Sequence, residues 1–165
     1  MQLPEPVMTA EELNAFLQAT FPQFERPYRV LEVTPTGAVL HLAIGPEHER
    51  PGGTVSGPTM MGLADAAAWL ATLSRIGPVA LSVTSSLTIN FLRKPSLDHD
   101  LLATASLLKL GRRLSVTEVH LTSGDDLVAQ STVTYAIPSS ASPGSSAPSS
   151  GSSSPSGSSP SAPSA

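Results

Sequence analysis

The chain has no cysteine among its 165 residues, which excludes disulfides, thiolate nucleophiles and cysteine-held metals. Metal ligands would have to come from carboxylates and from His41, His48, His99 and His120. Their spacing forms neither HxH nor HExxH, so the sequence supports no metal site. Positive charge is also short: nine Lys and Arg stand against thirteen Asp and Glu, a formal net charge of −4. A nucleic-acid backbone calls for a basic track, so neither DNA nor RNA is an expected partner. No apolar run reaches the roughly 18 residues of a membrane span. The N-terminal MQLPEPVMTAEELNAF lacks the basic-then-apolar pattern of a signal peptide. The expected setting is therefore cytoplasmic, with no membrane partner. Nucleophile elbow, Walker loop and dinucleotide fingerprint are missing too.

What is present is one long apolar stretch. GTVSGPTMMGLADAAAWLATLSRIG, Gly53 to Gly77, reads as a glycine-rich turn opening into a helix. Ser56 or Gly57 suits the N-cap, Pro58 the first turn and Gly77 the C-terminal stop. Between Pro58 and Leu73 no solvent-facing stripe appears, and such a helix is expected to be buried on all sides. Asp65 is the one carboxylate inside it. A buried carboxylate has to be paired, hydrogen-bonded, protonated or catalytic.

The rest of the chain divides around this helix. Residues 1–27 hold a helix from about Ala10 to Ala19, announced by a Thr9/Glu12 capping box, and a lead-in. Residues 28–137 form the main domain. There Tyr28–Thr34 and Ala38–Ile44 alternate as a hairpin, Gly45–Gly57 reads as loop, and four β-rich runs follow the apolar helix. These runs are Val79–Phe91, Leu101–Leu110, Leu114–Thr122 and Leu127–Ile137, joined by short turns that predict antiparallel neighbours. An α+β fold follows, with an antiparallel sheet curled around one helix and self-association to cover the rest. From Pro138 to Ala165 every residue is Ser, Pro, Gly or Ala. Residues 138–165 are expected to be a disordered tail.

Three features could carry chemistry. Asp65 is either a structural carboxylate or a general base or nucleophile. The turn before the helix offers backbone N–H groups without intrahelical partners, suited to an oxyanion. Arg93, Lys94, Lys109, Arg112 and Arg113 are either solvated turn charges or a patch for a ligand's phosphates. Met60, Met61, Trp69 and Phe91 could line an acyl pocket or belong to the core.

The segments GTVSGPTMMGLADAAAWLA, SLTINFLRKP, LLKLGRRLSVTEVHL and DLVAQSTVTYAIP together resemble the PaaI-like acyl-CoA thioesterases of the hotdog fold. The resemblance spans about Tyr28 to Pro138. It implies a homodimer or homotetramer with the active site between subunits. It also implies acyl-CoA as substrate, with CoA entering only as part of that substrate and no metal or other cofactor. On this resemblance Asp65 is the catalytic acid, and Ser56, Gly57 and Pro58 match the family's HGG turn. The Gly57 N–H then polarises the thioester carbonyl, and Thr84 stands near the acid across the interface. The strand carrying Asn90, Phe91, Arg93 and Lys94 lines the pantetheine channel, and the turn Gly111, Arg112, Arg113 approaches the CoA phosphates. Ser56 replaces the usual histidine and Arg50 the usual asparagine, leaving Arg50 as a candidate to position the thioester. A non-catalytic acyl-CoA-binding protein is the alternative reading. A hotdog hydratase ranks last, because no histidine occurs between His48 and His99.

Overall fold

Thr9 opens the first helix, α1 (Ala10–Thr20), by the expected reciprocal cap. Its hydroxyl accepts from the Glu12 N–H, and the Glu12 carboxylate accepts from the Thr9 N–H. Leu13 and Leu17 turn inward from this helix. The computed structural model describes residues 3–22 and 28–139. The expected tail lies outside the described residues beyond Ser139.

Two strands follow, β1 (Arg29–Val33) and β2 (Gly37–Leu42), paired as the predicted hairpin with an irregularity between Val30 and Glu32. Gly37 is fixed by packing. A Cβ there would lie 2.1 Å from the carbonyl oxygen of Ala105 on the neighbouring strand. The segment expected as plain loop has structure of its own: a 3-10 turn at Pro46–His48 and the two-residue strands β3 (Glu49–Arg50) and β4 (Thr54–Val55). Pro51 and Gly52 make the bend between them, with Gly52 at φ 108 and the Gly53 N–H returning to the Arg50 carbonyl.

The long helix α2 (Gly57–Ile76) comes next, then β5 (Val83–Phe91), β6 (Leu101–Leu110), β7 (Leu114–Ser123) and β8 (Asp126–Ala136). Six strands form one antiparallel sheet in the order β1-β2-β6-β7-β8-β5. Two expectations change here. First, β5 does not pair with β6, whose edges are both taken by β2 and β7. The segment with Lys94-Pro95-Ser96 is instead a crossover that carries the chain between opposite parts of the sheet, passing β4 with Pro95 accepting from Val55. Second, Val79–Ser82 is a turn rather than strand, with the Ser82 N–H bonded to the Val79 carbonyl.

The sheet curls onto α2 through alternate inward residues such as Leu101, Ala103, Val119, Leu121 and Val133. This is the α+β hotdog arrangement. The helix is enclosed only along its C-terminal half, where every residue from Ala67 to Arg75 is buried. There the N-terminal arm closes over it: Val7 and Met8 donate to the Ser74 carbonyl, while Arg75 donates to the carbonyls of Pro4 and Thr34. Along the N-terminal half, Pro58, Met61, Gly62, Asp65 and Ala66 share a face that is not buried. The expectation of burial on all sides fails there because none of the described residues covers that face fully. Gly77 ends the helix at φ 86, but its ψ of −173 places it in the glycine-only extended region rather than the left-handed helical one.

The two sheet edges differ. On β1, the outward N–H and C=O of Val30 are both met by the Asn14 side chain of α1. Strand β5 bonds to β8 on one side only and has nine uncharged residues, VTSSLTINF. Among the described residues, no helix is long and apolar enough to cross a membrane.

Candidate active site

Helix α2 and strand β5 run antiparallel. At one end the Phe91 ring lies 3.4 Å from where a Gly57 Cβ would stand. Further along, Thr84 Oγ1 donates to Asp65 Oδ1 at 2.6 Å. Tyr135 Oη, from the last strand, donates to the same oxygen at 2.8 Å and lies 3.2 Å from the Asp65 carbonyl. Both hydroxyls therefore converge on Oδ1, and Oδ2 has no bond to any described residue. Asp65 is half-buried, so it meets solvent where full enclosure was expected. Thr84 reaches Asp65 of its own chain rather than across an interface. Tyr135 went unread in the sequence, although strand alternation from Val133 points it inward and a buried Tyr needs a partner for its hydroxyl.

Beside this carboxylate lies a cavity of about 400 Å³. Leu17 of α1 and Phe21 just after it close one side; Gly62, Asp65, Ala66 and Trp69 of α2 form the floor; Ser82, Val83, Thr84 and Tyr135 form the opposite wall. Tyr28 lines it too, its hydroxyl so near α2 that a Cβ on Gly62 would sit 3.0 Å away. Of the earlier acyl-pocket candidates only Trp69 lines it; Met60 is core and Met61 is exposed. The chain's only Trp and both its Tyr residues are here, and Asp65 is the one charged side chain in the lining. Burial pushes the Tyr135 phenol far above its ordinary range, and the Asp65 charge adds in the same direction. Tyr28 is raised by the same two causes. Both phenols stay protonated at neutral pH, and Tyr135 donates to Asp65.

The start of α2 leaves one backbone donor. Ser56 is the N-cap, its Oγ accepting from the Thr59 N–H and meeting Thr59 Oγ1 at 2.8 Å. The Ser56 N–H is bonded to the His48 carbonyl, the Met60 N–H to the Ser56 carbonyl, and Pro58 has no N–H. Only the Gly57 N–H lacks an acceptor among the described residues. It lies eight residues from Asp65, about 12 Å along the helix axis. One chain cannot place both on a single carbonyl.

Other anticipated residues lie elsewhere. Arg50 is exposed on β3, with no side-chain bond to a described residue. Asn90 donates to Gln130, which donates to Glu118, so it faces the outside of the sheet while Phe91 faces the helix. Arg93 pairs with Asp126 at 3.5 Å, both well exposed, and Lys94 beside it is exposed. Gly111, Arg112 and Arg113 form the β6–β7 turn at the opposite end of the sheet, because Leu114 pairs with Ala136 whereas Ser123 pairs with Asp126. That is about 30 Å along the strands. The basic residues do not form one patch within a chain. His41, read as a strand-surface residue, pairs with Asp100 at 2.8 Å, outside the cavity.

With this geometry in hand, comparison with known proteins is direct. The family model of the thioesterase superfamily matches residues 52–130. A protein from Silicibacter sp. TM1040, assigned as a thioesterase, is 39% identical, with 83% of this chain and 96% of that one covered at a TM-score of 0.76. The phenylacetic acid degradation protein PaaI of Thermus thermophilus is 30% identical over 67% of this chain and 92% of its own, TM-score 0.60. A hypothetical thioesterase of Streptococcus pneumoniae, solved with coenzyme A, shares the fold at 21% identity, with 76% and 96% covered and a TM-score of 0.65. No protein of curated function matches the sequence significantly. The chain belongs to the thioesterase superfamily, as a thioester hydrolase of the PaaI-like hotdog type.

Proposed function

We propose that the protein hydrolyses acyl-CoA thioesters at a site shared by two copies of the chain. The observation that carries this reading is the Asp65 carboxylate, held through Oδ1 by Thr84 and Tyr135 with Oδ2 open, beside a cavity of acyl size. Oδ2 takes a proton from water, whose oxygen attacks the thioester carbon. The carbonyl oxygen becomes an oxyanion held by the Gly57 N–H at a helix N-terminus. Collapse breaks the carbon–sulfur bond, and the CoA thiolate recovers the proton from Asp65. Direct attack by Oδ2, with an anhydride then hydrolysed by water, uses the same groups.

Sharing follows from the 12 Å separation and from the β5 edge. An uncharged nine-residue edge strand with Val83 58% and Phe91 50% exposed carries neither Lys nor Pro against pairing, and its one irregularity lies between Thr84 and Ser86. Antiparallel two-fold pairing of β5 with a second β5 reverses one against the other. The Phe91 end, with Gly57, then meets the Val83 end, with Asp65. The same operation brings Arg93 and Lys94 of one copy toward Arg112 and Arg113 of the other, a basic rim suited to CoA phosphates. Arg50, exposed near the start of α2, is the further candidate to position the thioester. A homodimer is thus the smallest complete unit.

The test is steady-state hydrolysis of a panel of acyl- and aryl-CoAs beside Asp65→Asn and Ser56→His. Asp65→Asn is expected to lower kcat on the order of 10²–10⁴-fold. Near wild-type hydrolysis by that variant overturns the mechanism. Tight binding with turnover at background across the panel would support the acyl-CoA-binding alternative. Ser56→His reports whether a histidine at the cap limits the rate.

A further inference from the structure

One wall of the cavity beside Asp65 is purely apolar and comes from the chain ahead of the sheet. Leu17 of α1 and Phe21, one helical turn later, line it from that side. They continue the inward row that starts at the fully buried Leu13, each four residues after the last. Neither side chain can donate or accept a hydrogen bond, so within the cavity they only take up space.

This wall is fastened at its start, middle and end. Ahead of α1 the Val7 and Met8 N–H groups bond to the Ser74 carbonyl. Midway, the Asn14 side chain holds both backbone groups of Val30. At its end the ring centroids of Phe16 and Phe21 lie 5.8 and 5.7 Å from that of Trp69, the second edge-on. Trp69 is one helical turn past Asp65, about 6 Å farther from Gly57. An acyl chain that starts beside Asp65 and runs along Ala66 and Trp69 therefore ends against Phe21. The cavity of about 400 Å³ is itself near the lower end of the range for ligand sites.

We infer that Leu17 and Phe21 set the upper length of the acyl group, so that the site takes short and medium chains and excludes long fatty ones. This rests on the reading of Asp65 as the reaction centre. A longer chain has two courses. It can push α1 outward against the bonds of Asn14 and of the arm ahead of it, or it can leave its own end in water. Either course forfeits what the added methylenes would gain, and in a fitted apolar pocket one methylene changes kcat/KM by about 10-fold or more. The limit is therefore a steep fall in kcat/KM over one step of chain length. A cavity open at this end would give a plateau.

Saturated acyl-CoAs from butanoyl to hexadecanoyl, assayed for kcat/KM at every even chain length, test this. The wild-type profile should rise with length and then fall by about 10-fold or more within one step, before hexadecanoyl. Leu17→Ala and Phe21→Ala should each move that fall to longer chains, and Leu17→Phe should move it to shorter ones. A general loss of stability lowers all chains alike and leaves the position of the fall unmoved. Phe21→Ala keeps the test open if the Leu17 variants do not fold. A wild-type profile without a fall, or one that every variant shares, overturns the inference; hydrolysis still dependent on Asp65 then leaves the hydrolase reading standing. Turnover at background with every chain overturns that reading instead. Calorimetric affinities of the same series for wild type and variants then decide the length limit, which identical or absent affinity profiles overturn.

Discussion

Tyr135 and Asp65 stand 70 positions apart in the chain, yet the phenol donates to the carboxylate at 2.8 Å on the oxygen that Thr84 also binds. Two donors on one oxygen fix the plane of the carboxylate and leave the other oxygen directed away from them. Tyr135→Phe keeps the ring and removes this bond. Hydrogen bonds to charged groups are worth about 1.5–3 kcal/mol, so kcat should fall by about 10–100-fold with little change in KM. Thr84→Ala should act alike, and the double variant should lose less than the two losses combined. A fall in KM affinity with kcat intact would mean that the pair serves binding instead.

The shared site predicts complementation. Asp65→Asn lacks the acid, and Gly57→Pro lacks the N–H in a first-turn position that tolerates proline. Each alone should be inactive. Co-refolding equal amounts should restore roughly a quarter of wild-type activity, since half the pairs are mixed and each has one intact site. Thr88→Lys, on the open β5 edge, should shift the protein to monomer in sedimentation and abolish hydrolysis. Activity retained by monomeric Thr88→Lys would place the whole site within one chain.

Gly37→Ala tests packing rather than chemistry. The added Cβ would lie 2.1 Å from the Ala105 carbonyl oxygen, and backbone cannot yield as a side chain does. Separation of β2 from β6 should cost about 1–3 kcal/mol in urea denaturation. A loss below about 0.5 kcal/mol would show that the strands part freely.

Alkaline stability reports on the buried phenols. An unfolded Tyr titrates near pH 10, whereas Tyr135 holds its proton well above that. The folded state therefore binds a proton that the unfolded state releases. That contribution is complete below about pH 10 and is lost as the pH rises toward the folded value. Denaturant midpoints followed from about pH 9 to 11.5 should fall less steeply in Tyr135→Phe than in wild type. Tyr28, raised in the same sense, supplies a remaining slope in both proteins. Parallel slopes would mean that Tyr135 is not held protonated.

Local patterns were legible from the sequence: the Thr9 cap, the hairpin and the boundaries of α2 and β6–β8 all follow from short-range spacing. Asp65 was legible as well, since one carboxylate in an apolar helix has few uses. What the sequence hid is non-local. The antiparallel rule for neighbours could not tell that β6 has both edges occupied and so sends β5 to the far side. The partners of Asp65 come from two other strands, and no spacing rule links position 65 to 84 or 135: Thr84 came from the family resemblance alone, and Tyr135 from nothing in the pattern. The basic residues looked alike as turn charges, and only strand order separates Arg93 and Lys94 from Arg112 and Arg113.

The start of α2 also sets what kind of oxygen it can receive. Helix N-termini commonly hold phosphate, which spreads charge over several oxygens and is satisfied by several N–H groups together. Here the cap serine, a proline and the His48 carbonyl leave a single donor at Gly57. One N–H matches one oxygen. The turn discriminates by valence: it suits a lone carbonyl oxygen as it gains charge, and free phosphate or sulfate in the buffer should compete for it only weakly.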